Sequence, residues 1–433
     1  MRTAYAFVAA VVCLTTAMFW SNAVGWRWNP WVLLVFAALV AGFAWRHAPH
    51  PAFGHPLPEG EGVRKREAAF PPYEGVSRGR HTPLPPGEGG SRGKHTPLPP
   101  GEGGSRGRHS PLPSGEGGAK RRVRGVPLAI ITFTLLTAYG TLTARETCAD
   151  LLYFWGPKAV RFAAARGIDV AFLKAPDHFL MHPDYPPLVP LMYAWGAMIA
   201  GGFSYWAPLL LTAVLLALTA LLVPGRGGVL MAALLAFGYA QALAAGTADP
   251  ILIFFEVAAL AALTFLDDAR LASIALAGAA MTKVEGAAFV AVAIVAYAIV
   301  SRRPLRALAI AVAPGVLLGS WIAFARAHGL IDSYARGATP FVWSAQTLVS
   351  IARQASYHAY YLPWLAVLAP LVFAKHWKRA ALPLLVAAGS IAYILFFYMH
   401  PDANRDFWIV VSAERVLLTP LAALAVAAAA SSE

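Results

Sequence analysis

The chain has 433 residues, of which 58% are hydrophobic and only 13% charged, and its mean hydropathy is +0.56. Repeated apolar runs of about twenty residues, the length that crosses a bilayer, make it an integral membrane protein and exclude a soluble globular domain. The formal charge of +13 does not point to nucleic acid as a partner. The basic residues fall mainly between the apolar runs, where cytoplasmic loops of membrane proteins carry them. Two cysteines, Cys13 and Cys148, supply neither a disulfide framework nor a metal-type pair.

The first apolar run, Ala4 to Val24, has one charge before it, Arg2, and no clear small-x-small cleavage site. It reads as a retained transmembrane helix rather than a signal peptide. A second span, Trp31 to Trp45, completes an N-terminal pair over residues 1–45. From 46 to 125 the composition changes to proline, glycine and charge. "HTPLPPGEGGSRGK", "HTPLPPGEGGSRGR" and "HSPLPSGEGGAK" begin at His81, His95 and His109, a fourteen-residue period. Units with almost no apolar face cannot stack into a core, so the segment is expected to be a disordered cytoplasmic insert with stretches of polyproline II.

Lys120, Arg121, Arg122 and Arg124 directly precede the third run, Val126 to Leu142. Such juxtamembrane positive charge stays in the cytoplasm, so the run exits outward and residues 143–186 form an external loop. "SRRPLR" at Ser301 and "KHWKR" at Lys375 are the other basic loops and are expected inside. Alternating outward from them puts Lys283 and Glu285 outside, "DDAR" at Asp267 inside, and Asp249 outside. Between Tyr185 and Asp249 this scheme meets a contradiction. Both ends are external, yet three apolar runs lie between them: Pro187 to Gly201, Trp206 to Val223 and Gly228 to Ala245. One run must be re-entrant, interfacial or misread. The expected fold is therefore an all-α polytopic transmembrane helical bundle of about 11–13 helices.

Ionisable groups at membrane depth are costly and merit a functional hypothesis. The topology gathers Asp150, His182, Asp184, Asp249, Lys283, Glu285, Arg405 and Arg415 at or just below the external surface. Asp150 opens "DLLYFWGPKAVRFAAARG", where Leu151, Phe154, Trp155, Ala159 and Phe162 share one face, with Lys158 and Arg161 on another. This spacing describes an amphipathic interfacial helix, kinked or restarted at Pro157, with Asp150 as its N-cap. In "HPDYPPLVPL" Asp184 suits a cap, Pro186 and Pro187 suit first helical positions, and Tyr185 suits the aromatic belt. That reading accounts for His182 poorly, and a hydrogen-bonded structural histidine and a metal ligand both stay open there. "TADP" at Asp249 resembles a helix start. "MTKVEG" places Lys283 and Glu285 in an apolar stretch, as a buried pair, a polar break or a functional pair. Arg415 in "SAERVLL" either snorkels to the surface or serves a site. No G-x-x-x-x-G-K-S/T, G-x-S-x-G or H-E-x-x-H motif occurs.

"DLLYFWGPKAV", "HPDYPPLVPL", "GTADPILIFF", "TKVEG" and "SAERVLL" follow one another in the order found in bacterial multi-pass glycosyltransferases of the C superfamily (GT-C). The chain from residue 126 to 433 resembles these RgtA/B/C/D-like enzymes, relatives of protein O-mannosyltransferases and lipid A aminoarabinose transferases. The resemblance implies a polyprenyl-phosphate sugar donor, an extracytoplasmic acceptor of unspecified kind, and a site on the external face of the inner membrane. It makes Asp150 the catalytic carboxylate. It gives Lys158, Lys283 and Arg415 as cations for the lipid phosphate, Asp249 as the second acidic position, and His182, Asp184, Tyr185 and Glu285 as further substrate contacts. A divalent metal cofactor stays open, because Leu151 stands where many relatives carry a second adjacent acidic residue. The competing reading is a multi-pass transporter or lipid flippase, since intramembrane charges also mark transport paths. Charges clustered at one face, and the lack of a visible inverted repeat, favour the interfacial enzyme.

Overall fold

The computed structural model describes residues 2–47, 130–132, 135, 150–175, 181–238, 246–330, 341–356, 361–372, 374, 376–400 and 405–432, which belong to one compact unit. The repetitive segment and most of the third apolar run lie outside the described residues. All regular structure among the described residues is helical, as a chain in lipid requires when it must satisfy its own backbone groups. The chain is a multi-pass membrane protein with seven helices long and apolar enough to cross a bilayer among the described residues.

In chain order the elements are α1 (Arg2–Ala23), α2 (Pro30–His47), a π-helical turn (Asp150–Trp155) leading into α3 (Gly156–Ala165), α4 (Val170–Lys174), α5 (Leu188–Ala200), α6 (Trp206–Leu222) and α7 (Gly225–Ala233). There follow α8 (Asp249–Ala261), extended by a π turn to Leu266, α9 (Ala269–Ala280), α10 (Val284–Ser301), α11 (Pro304–Ala327), α12 (Ala345–Ser356), α13 (Tyr361–Val372), α14 (Trp377–Tyr398), α15 (Arg405–Val416) and α16 (Leu418–Ser432). Three hydroxyls inside the apolar helices turn back on their own backbone. Thr212 Oγ1 donates to Pro208 O at 3.0 Å, Thr219 Oγ1 to Leu215 O at 2.7 Å and Ser320 Oγ to Val316 O at 2.7 Å, so none needs water.

Two ends of the bundle can be told apart by their charges. At one, which we term the basic end, Asp267 pairs with Arg306 at 2.9 Å and Arg303 at 4.0 Å, and His376 N bonds to Ser431 O. At the other, the site end, lie Asp150, Asp249, Lys283, Glu285 and Arg415. Helix α8 runs from the site end to the basic end, α9 returns, α10 descends and α11 returns again, the alternation expected from the loops.

The contradiction in the crossings between residues 185 and 249 is resolved by α5. Its first amide, Leu188 N, bonds to Met281 O beside Lys283, at the site end. The chain that leaves it comes back to the same end. A Cβ placed on Gly156, next to the Asp150 turn, would lie 3.0 Å from the Tyr205 ring, just before α6. With 13 residues α5 is about 20 Å long, short of the roughly 30 Å hydrocarbon thickness. It packs along α3 and does not cross. Helix α6 then descends to the basic end, where Gly227 abuts Ala429 near the end of α16, and Gly246 is again at the site end, its Cβ position 2.6 Å from Leu151.

Helix α1 is part of this core rather than an appended anchor. Phe7 meets Phe254 edge to face at 5.6 Å, and Tyr5 Oη donates to Ala258 O at 3.4 Å. Its C-terminal end clasps the interfacial segment: Ile168 N donates to Asn22 Oδ1 at 2.8 Å, and Trp28 N to Arg166 O at 3.0 Å.

Candidate functional site

The site begins with the turn before α3. Asp150–Trp155 is wound as a π helix, and α3 restarts at Gly156 with Pro157 in its first turn, where a missing N–H costs nothing. Leu151, Trp155, Ala159 and Phe162 are buried, and Arg161 faces solvent and pairs with Asp169. The predicted amphipathic face is therefore present. Lys158 departs from it. Expected on the polar face, it is 2% exposed. It turns inward because Nζ donates to His182 O at 2.7 Å, and it lies 5.4 Å from the Trp155 ring centre.

Asp150 does not act as a simple helix cap. Its carboxylate accepts from Arg415 Nη2 at 2.5 Å, across 265 residues of sequence. Arg415 Nε in turn donates to Asp249 Oδ2 at 2.7 Å, and Asp249 Oδ1 takes Lys283 Nζ at 3.0 Å. Lys283 also reaches Glu285 Oε1 at 3.3 Å. Five side chains from the Asp150 turn, α8, the α9–α10 junction and α15 thus form one continuous network. Helix starts position most of it. Pro250 directly follows Asp249 at the head of α8, and Lys283 occupies the N-cap of α10 in extended backbone. Side-chain exposure grades across the network, from 4% for Asp249 and 6% for Lys283 to 16% for Asp150, 21% for Arg415 and 27% for Glu285. The interior pair anchors it, and Asp150, Arg415 and Glu285 are its more exposed members. Glu285 Oε2 is buried and has no hydrogen-bond partner among the described residues.

"HPDYPP" folds as a tight turn beside this network. His182 takes a left-handed backbone, φ 50°, and its carbonyl accepts both Tyr185 N at 3.1 Å and the Lys158 ammonium. The His182 ring stacks on Tyr185 at 4.6 Å and meets Phe154 edge-on at 5.4 Å. Asp184 does not cap the next helix as expected: α5 starts after Pro187 without a side-chain cap. The Asp184 carbonyl instead accepts from Trp321 Nε1 at 2.8 Å, which ties the turn to α11. Burial pulls the Lys158 ammonium down to about 7 against the opposing pull of Asp184. Burial, and then the Lys158 charge, push His182 down to about 4. His182 is therefore a neutral, stacked ring at neutral pH, and Lys158 is poised between charge states.

A resident metal does not fit the acidic pair. The Arg415 guanidinium already occupies the space between Asp150 and Asp249, and no group of three or more candidate ligand side chains gathers among the described residues. One residue escaped the sequence reading. Glu256, seven positions along α8 from Asp249, is 1% exposed and receives Thr419 Oγ1 at 3.0 and 2.9 Å from its two oxygens. Its signal was present as the one acid after Asp249 in "DPILIFFEVAALA".

The chain matches no protein-family model, no curated protein and no solved structure.

Proposed function

We propose that the chain is a membrane glycosyltransferase of the C superfamily, moving a sugar from a polyprenyl phosphate to an acceptor hydroxyl at the external face, with inversion. One observation carries the reading. Four of the five segments that bear the resemblance, around Asp150, Asp249, Lys283 with Glu285, and Arg415, are far apart in sequence yet share a single ion-pair network. The fifth, around His182, packs against the same turn through Lys158 and Phe154.

In this reading Asp150 is the base. The acceptor oxygen attacks the anomeric carbon as its proton passes to the Asp150 carboxylate, and the bond from that carbon to the phosphate oxygen breaks. The departing phosphate takes its electron pair as an anion, which Arg415 and Lys283 stabilise. Arg415 links the two tasks. A donor phosphate that engages the guanidinium competes with Asp150 for it and so frees the carboxylate to accept a proton. Asp249 holds both cations in place, and Glu285 receives a substrate hydroxyl.

The test is transfer by purified protein supplied with labelled polyprenyl-phosphate sugars and an acceptor extract. Asp150→Asn is expected to stay membrane-inserted and lose transfer; undiminished transfer by that variant removes Asp150 from the mechanism.

A second reading, a transporter or lipid flippase, is favoured by Glu256, a carboxyl held deep in the bundle beneath the network. Flux of a labelled solute or lipid in proteoliposomes, lost in Glu256→Ala and kept in Asp150→Asn, selects it.

A further inference from the structure

The basic end carries a second built feature, remote from the network at the site end. A cleft of about 270 Å³ opens between α10, α14 and the π turn that ends α8, and Arg303, Lys378 and Arg379 contribute to its wall. Asp267 also lines it, but its carboxylate is neutralised by Arg306 and Arg303. No ion pair to Lys378 or Arg379 is present among the described residues. Two hydroxyls on the wall are unusual. Tyr297 is 4% exposed and Thr264 Oγ1 is buried, yet neither oxygen has a hydrogen-bond partner among the described residues. A buried hydroxyl without a partner is costly, and a ligand that supplies one repays that cost.

We infer that this cleft binds the phosphate of an anionic membrane lipid. Two uncompensated cations and two buried donors match the charge and the acceptor oxygens of a phosphodiester. Basic pockets between membrane helices are suited to such headgroups. The position favours a lipid over a free anion. Val295, Ile299 and Leu305, near the basic end of α10 and the start of α11, are exposed apolar side chains along which acyl chains lie once the headgroup is seated.

The experiment uses full-length protein in a zwitterionic detergent. Its probes are dihexanoyl phosphatidylglycerol, dihexanoyl phosphatidylcholine and inorganic phosphate, each titrated by microscale thermophoresis. The phosphatidylglycerol is expected to bind tighter than either comparison probe by about fivefold or more, and Lys378→Gln with Arg379→Gln to weaken it by about fivefold per cation removed. Tyr297→Phe is expected to weaken it severalfold without lowering the thermal midpoint, since the lost hydroxyl has no partner within the protein. Equal binding of the choline lipid, or of phosphate alone, overturns the inference. So does a Tyr297→Phe variant that binds like wild type, because loss through the exposed cations alone describes a charged surface and no cleft.

Discussion

Replacing Arg415 by methionine removes the guanidinium that joins two carboxylates, and its cost can be worked from the contacts. Each of the two hydrogen bonds, at 2.5 Å to Asp150 and 2.7 Å to Asp249, is a bond to a charged group worth about 1.5–3 kcal/mol. Asp249 keeps Lys283 at 3.0 Å, which offsets part of its loss. Asp150, 16% exposed, regains some hydration. The net destabilisation should therefore be about 2–4 kcal/mol, below the roughly 3–5 kcal/mol that stranding a fully buried charge costs. A double-mutant cycle isolates the bridge: Arg415→Met, Asp150→Asn and the pair together, each unfolded by SDS titration in mixed micelles. Once Asp150 no longer needs a cation, the arginine replacement should cost less, giving a coupling of at least about 1 kcal/mol. If the double variant instead equals the sum of the single ones within about 0.5 kcal/mol, the Asp150–Arg415 contact contributes nothing and the network reasoning fails.

Lys158 gives a pH signature. Its folded value of about 7 lies below the ordinary 10.5, so between these limits the unfolded chain holds a proton that the folded chain has shed, and stability rises with pH. Thermal midpoints at pH 7 and pH 9 should show that rise in wild type and a smaller one in Lys158→Gln; equal slopes exclude the burial of this ammonium. Gly286→Ala places a methyl on the Ala279 carbonyl, and because backbone must yield, unfolding should become easier by about 1–3 kcal/mol. Thr419→Val takes the hydroxyl donor from both Glu256 oxygens and should cost about 1–3 kcal/mol. Glu256→Gln, whose amide oxygen still accepts from Thr419, should cost less, and the reverse order in SDS titration contradicts the assigned bond.

The helices were legible because hydropathy and span length act locally. Ala287 to Val300 and Ala380 to Tyr398 each fall within one observed helix, and Ala4 to Val24 overruns α1 by one residue. The α5 segment was not, since its composition is that of a span and only the return of Tyr205 to Gly156 shows that it does not cross. For the candidate site, the rule that charges at membrane depth have a purpose selected Asp150, Asp249, Lys283, Glu285 and Arg415 without their mutual contacts. Pairing partners up to 265 residues apart leave no local pattern. Helical spacing put Lys158 on a polar face, and the carbonyl that draws it inward belongs to His182, 24 residues away. Asp184 looked like a cap because Pro186 and Pro187 suit the first positions of a helix it would start, but the turn begun by His182 places the helix start beyond it.

The network also sets an order of assembly. Asp249 and Lys283 are separated by 34 residues, whereas Asp249 and Arg415 are separated by 166. At about 5–20 residues per second of synthesis, roughly ten to thirty seconds pass between translation of the aspartate and of the arginine. From about 2–7 s after Asp249, once the 34 residues to Lys283 are made, that lysine is the cation at hand to keep the Asp249 carboxylate compensated in the nascent membrane domain. Arg415 closes the network only when α15 is made, so a chain that stops before that helix lacks the cation that pairs Asp150 with Asp249.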